Sequence, residues 1–203
     1  MKKCLVLVFV LTVIFILNTS IKAANDIPFS DVNSDEITSD ISVIEQNANS
    51  LVKLGIMKGY EDGTLRLNTK IKRSEFITLV VKMMAFDKDT GLEDLKIGFK
   101  DLNKDHWAYT NIGLALKHDL ISGYPDNTIA PDKNVTYAEA LAVVIRALRY
   151  ENTLTGKWPD NVVNKGIELQ LDINLSLEPN YPLSRGEMST IVYNALTVDF
   201  ATN

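Results

Sequence analysis

Few side chains in this 203-residue chain are equipped for covalent or acid–base work. It has two histidines, His106 and His118, and a single cysteine, Cys4, close to the N-terminus. No phosphate-cradling glycine loop, dinucleotide fingerprint or zinc-ligand spacing occurs. What recurs is a guanidinium two residues ahead of a carboxylate: Arg73 before Glu75 in "KRSE" and Arg185 before Glu187 in "SRGE". A third phrase, "TYAE", puts Tyr137 where the arginine would stand, ahead of Glu139. A guanidinium is a rigid fork of donors that meets a carboxylate through two bonds at once, so the chemistry on offer is recognition of an anion. Spacing alone equally allows both arginines to be surface residues paired with nearby acids. The glutamates read as helix caps, with no catalytic role. In "TYAE" and "SRGE", Thr136 or Ser184 caps and the glutamate three residues on reaches back. Lys72 holds that place in "KRSE" and offers no acceptor, a loss typically of about 1 kcal/mol.

The elements that carry these phrases repeat. Residues 59–76, "GYEDGTLRLNTKIKRSEF", align without a gap on residues 123–140, "GYPDNTIAPDKNVTYAEA". Residues 177–188, "LEPNYPLSRGEM", align on residues 129–140. Each copy also has a matching start, "FSDV", "FKDL" or "WPDNV", which sets Asp31, Asp101 and Asp160 in register. Apolar residues fall at three- and four-residue steps in "NANSLVKLGIM" and in "WAYTNIGLALKHDLI", where Trp107, Ile112, Leu116 and Leu120 share a stripe. They do so again after each phrase: Phe76, Leu79, Val80, Met83; Leu141, Val144, Ile145, Leu148; Met188, Ile191, Val192, Ala195. Each copy is therefore helix, loop, helix. Two short helices cannot bury such stripes alone, so three copies must associate to form a core.

The loop has its own logic. Asp62-Gly63 is a turn signal, because glycine accepts positive φ freely. Asn127 takes the glycine's place in the second copy and tolerates the same conformation. The third copy, with "LDINLS", has lost the signal. Trp107 reads as core packing or as an exposed wall, Tyr60 and Tyr124 as packing, and His118 as a helix-end residue. "DLNKDH" and "DVNSDE" resemble the start of a calcium-binding EF-hand, but His106 and Glu36 replace the required glycine, and Ile112 and Ser42 the closing glutamate. No metal site and no cofactor is expected.

Lys2 and Lys3, the apolar run from Cys4 to Leu17 and the small residues of "NTSIKA" make residues 1–23 a signal peptide, with cleavage after Ala23. The run is shorter than the roughly 20 residues that span a bilayer, so no stable membrane insertion is expected after cleavage. Cleavage removes Lys2, Lys3 and Lys22 and no acid, leaving the chain more acidic than its formal −5. That balance argues against nucleic acid and anionic lipid as partners. Without Cys4 neither a disulfide nor a thiolate metal site is available.

The aromatic-x-Asp start, "LGIMKGYEDGT" and the threefold "IKRSE", "VTYAE", "LSRGE" resemble the S-layer homology domain across essentially the whole exported chain. The resemblance implies an all-α fold of three helix–loop–helix repeats packed as a pseudo-threefold bundle, a three-pronged spindle. The repeats would be residues 24–86, 87–150 and a degenerate 151–203. It implies a noncatalytic protein at the cell wall or surface of a Gram-positive-type bacterium. Grooves between repeats would bind anionic secondary cell-wall polysaccharide, often pyruvylated, on peptidoglycan. The family's ligand residues fall by position on Arg73, Arg185, Gly59, Asp62, Gly63, Gly123, Asp126 and Trp107, the tryptophan being present only there. Tyr137 implies that one groove is altered or silent. The alternative is a structural or docking role toward another surface protein, with glycan binding lost.

Overall fold

A computed structural model describes residues 35–89 and 97–202. The signal peptide, Phe29 and Asp31 lie outside these residues. The compact unit begins at Asp40; of the unit that ends at Ser39, only the opening of the first helix is described. Among the described residues there are six α-helices: α1 (Asp35–Lys53), α2 (Arg73–Met83), α3 (Tyr109–Lys117), α4 (Tyr137–Ala147), α5 (Asp160–Glu168) and α6 (Arg185–Ala195). Two 3-10 turns, Phe86–Lys88 and Glu151–Thr153, follow α2 and α4, and β pairing among the described residues is limited to isolated bridges. The fold is all-α, as the periodicity predicts.

The starts of α2, α4 and α6 meet the loops of the neighbouring helix–loop–helix segments. A helix leaves its first N–H groups without an internal partner, and here the neighbouring copy supplies one. Arg73 N–H donates to Lys133 O (2.8 Å) and Ser74 N–H to Pro131 O (3.0 Å). Tyr137 and Ala138 donate in the same way to Tyr181 O and Pro179 O, and Arg185 and Gly186 to Thr69 O and Leu67 O. Two residues before each helix start, Ile71 N–H donates to Leu183 O, Leu183 to Val135 O and Val135 back to Ile71 O, all at 3.0–3.1 Å. The cycle closes on itself around three fully buried side chains, Ile71, Val135 and Leu183. The caps complete the accounting. Thr136 and Ser184 accept from the N–H of Glu139 and Glu187, whose carboxylates accept from the cap N–H groups in return. Glu75 accepts from Lys72 N–H, and Lys72 makes no side-chain cap, so that box is half built as expected.

Helices α2, α4 and α6 each touch the other two, while α3 lies on α2 and α5 on α4. Their predicted stripes are buried, Met83 and Leu116 only partly. Glycines set the close crossings. A Cβ on Gly166 of α5 would stand 2.8 Å from both methyls of Leu141 on α4. Gly166→Ala is therefore expected to overpack that crossing, costing about 1–3 kcal/mol and lowering the melting midpoint measured by circular dichroism.

Two expectations need correction. Trp107 is not on the buried stripe of a helix: α3 begins two residues later, and the residue is 60% exposed. The turn before α3 turns it outward, with Ala108 N–H bonded to His106 Nδ1 (3.1 Å) and Tyr109 N–H to His106 O (2.8 Å). The second concerns "WPDNV", which does not match "FKDL". Pro159 caps α5 as Ala108 caps α3, so Trp158, 55% exposed, is the counterpart of Trp107. The helix ends agree. Gly55, Asp119 and Gln170 each follow a first helix with positive φ, and the next residue bonds back to Leu51 O, Ala115 O or Gly166 O, the left-handed close of a helix. Asp101, whose carboxylate accepts from the N–H groups of Ile129 and Ala130, has no equivalent in Asp160, which lies inside α5.

Candidate functional site

The loop between the helices of a copy is built by its own side chains. Gly63 adopts φ +79°, with its N–H on Tyr60 O, and Tyr60 N–H returns to Thr64 O. The second copy repeats this with Asn127 at φ +62°, as the sequence predicts. Asp62 accepts from both the hydroxyl (2.6 Å) and the N–H (3.0 Å) of Thr64, and Asp126 does the same with Thr128. The Thr64 hydroxyl, the Thr64 N–H and Arg66 together hold Asp62 down to about 2, and the Thr128 hydroxyl lowers Asp126. Both carboxylates are occupied in shaping loops.

The arginines are not surface residues paired with acids. Arg185 is 94% buried, and its guanidinium crosses to the first copy's loop, donating from Nε to Leu65 O (2.9 Å) and from Nη2 to Lys58 O (2.9 Å). It lies 5.0 Å from the Tyr60 ring, which also carries Arg66 at 3.9 Å. Arg73 makes the equivalent reach into the second copy's loop, from Nε to Ile129 O (3.1 Å), beside the Tyr124 ring at 5.3 Å. Tyr137 reaches into the third copy, where its hydroxyl donates to the buried carboxylate of Asp172. Burial and that carboxylate push its phenol above the usual range. Each copy's second helix thus staples the next copy's loop.

One of these junctions opens into a groove of about 240 Å³. Its walls are Lys58, Gly59 and Tyr60 of the loop, Glu75, Thr78 and Lys82 of α2, Trp107 before α3, and Arg185. A Cβ on Gly59 would press within 3.2 Å of Thr64 O. Gly59, Trp107 and Arg185 are therefore brought together. Asp62 and Gly63 shape the loop without lining the groove. Arg73, Gly123 and Asp126 belong to the next junction, where the Phe99 ring fills the space in front of Gly123 and a Cβ would fall 2.0 Å from its edge. Sequence reasoning missed Lys58, Lys82, Tyr60 as a wall, and Trp158. The available signal for Lys82 was its place seven residues, about two turns, after Glu75 on the same face of α2.

At the second junction Tyr124 donates to Glu139 Oε1 (2.6 Å), and Lys133 stands 3.5 Å from the same oxygen. Burial pushes Glu139 up, but the Tyr124 hydroxyl, the Thr136 N–H and Arg73 outweigh it and hold the carboxyl below its ordinary range. Burial and Glu139 raise Tyr124 to about 12. A depressed carboxyl stabilises the fold above its unfolded value and loses that contribution as pH falls through the folded one. The melting difference between wild type and Glu139→Gln is thus expected to be full near neutrality and to shrink below the ordinary value of 4.5. Melting curves across acid pH check it.

Among the described residues no helix is long and apolar enough to cross a membrane, and no cluster of three metal-ligating side chains occurs. Residues 28–77 and 98–141 match the S-layer homology domain, just under half of the chain. The chain is 31% identical over 156 residues to the middle cell wall protein of Brevibacillus brevis, covering 77% of this chain and 15% of that protein. It is 30% identical over 172 residues to a cell surface protein of Thermoanaerobacter kivui, covering 84% of this chain and 21% of the relative. It is 35% identical over 92 residues to a cellulosome-anchoring protein of Acetivibrio thermocellus, covering 45% and 21%. The chain therefore spans between 15% and 21% of the length of these relatives.

Proposed function

We propose that this protein is a noncatalytic anchor of three S-layer homology repeats, the third degenerate, held at the cell wall by anionic secondary wall polysaccharide. The observation that carries the reading is the groove in which Trp107, Tyr60 and Arg185 converge with Lys58 and Lys82. The exposed indole offers a flat apolar face to a sugar ring, and cations at the rim suit a carboxylate substituent such as a pyruvate ketal. The closed hydrogen-bond cycle at the helix starts supports three repeats, because each copy supplies one donor set and one acceptor set to its neighbours. Surface and anchoring proteins among the relatives support the location.

Cosedimentation with purified sacculi tests this. The protein should pellet with intact walls and stay in solution with walls stripped of secondary polymer by mild acid. Equal pelleting with stripped walls would point to a protein or peptidoglycan partner and overturn the glycan reading.

A further inference from the structure

The three junctions share a backbone but differ in charge. Lys82, Arg146 and Asn194 occupy the same next-to-last position of α2, α4 and α6. Arg146 Nη1 bonds to Leu120 O (3.4 Å) while its Nε is paired with Glu151 (2.8 Å), and Asn194 bonds to Leu171 O (3.1 Å). Lys82 makes neither kind of bond among the described residues and lines the groove instead. Lys58 is likewise without a carboxylate partner among the described residues, and its counterpart in the aligned second copy is Ser122. Arg185, by contrast, has Nε and Nη2 committed to two loop carbonyls. Among the described residues the one carboxylate lining this groove is Glu75, which already accepts from Lys72 N–H. At the second junction Glu139 offsets Arg73, and Phe99 fills the space at Gly123. At the third, Tyr137 and Asp172 replace the guanidinium with an acid.

Resting on the reading of this groove as a glycan site, we infer that the chain binds a single anionic sugar unit, at the Trp107 groove. Lys58 and Lys82 are the side chains that read its charge. Arg185 acts as a positioning residue that holds the loop, and the second and third junctions take no glycan. The ligand class is a sugar bearing a carboxylate, toward which Lys58 and Lys82, neither holding a carboxylate partner among the described residues, line the same groove as Trp107.

Isothermal titration with a methyl hexoside carrying a pyruvate ketal, and with the same hexoside lacking it, tests the inference. One site per chain is expected for the ketal sugar and none for the neutral one. Trp107→Ala and the pair Lys58→Gln with Lys82→Gln should each weaken binding about tenfold or more, with unchanged circular dichroism. Trp158→Ala should leave it intact. Two sites per chain, loss on Trp158→Ala, or equal binding of the neutral sugar would each overturn it. Failure of the ketal sugar while sacculi still capture the protein would sink this inference and leave the anchor reading standing; failure of both would remove both.

Discussion

Arg185→Ala is expected to lower the unfolding free energy by about 2–5 kcal/mol and to release the protein from sacculi at the same time. The guanidinium is buried and satisfies Leu65 O and Lys58 O together. Deleting it leaves two loop carbonyls without a donor, each worth about 1–3 kcal/mol when buried, and frees the loop that forms one wall of the groove. Arg185→Lys keeps the charge but cannot span both carbonyls, so it should recover only part of the loss. Arg73→Ala removes a single bond to Ile129 O and should cost less. Urea unfolding of the three variants, set beside wall capture, checks the order. Stability equal to wild type in Arg185→Ala would refute the stapling role.

Tyr137→Phe should destabilise the protein by about 1–3 kcal/mol at neutral pH, although it removes a single oxygen. The Tyr137 hydroxyl donates to Asp172, which is 8% exposed, and phenylalanine leaves that carboxylate buried without its donor. Removing one partner of a buried pair costs the desolvation of the other, whereas replacing both with apolar groups is nearly neutral. Tyr137→Phe combined with Asp172→Leu should therefore be more stable than Tyr137→Phe alone. Additive losses across this cycle, measured in urea, would show that the two residues do not act as a pair.

What the sequence revealed, and what it concealed, follows from which interactions are local. The second helices and their caps were legible because Thr136, Glu139, Ser184 and Glu187 lie within one turn of each other and carry their own signature. The turn at Asn127 was legible because positive φ is a property of a single residue. The exchange between copies was not. Nothing in "KRSE" tells that Arg73 reaches Ile129 O, or that Arg185 crosses the molecule to Lys58 O, since the acceptors are backbone carbonyls with no side-chain identity. Trp158 was misassigned because "WPD" imitates an aromatic-x-Asp start, while its true register rests on helix ends at Asp119 and Gln170 that share a conformation and not a residue type. Lys82 and Lys58 became visible only when the fold set them around one space.

The central claim, that a wall glycan seats at the Trp107 groove, has a direct spectroscopic test. The chain contains two tryptophans, and they stand at equivalent places before α3 and α5. In a ¹⁵N-labelled protein, the two indole N–H resonances report the two places separately. On titration with polymer released from sacculi by mild acid, the Trp107 resonance should shift and saturate while that of Trp158 stays. If both remain unmoved under conditions in which sacculi still capture the protein, the wall is held by another surface and the account is wrong.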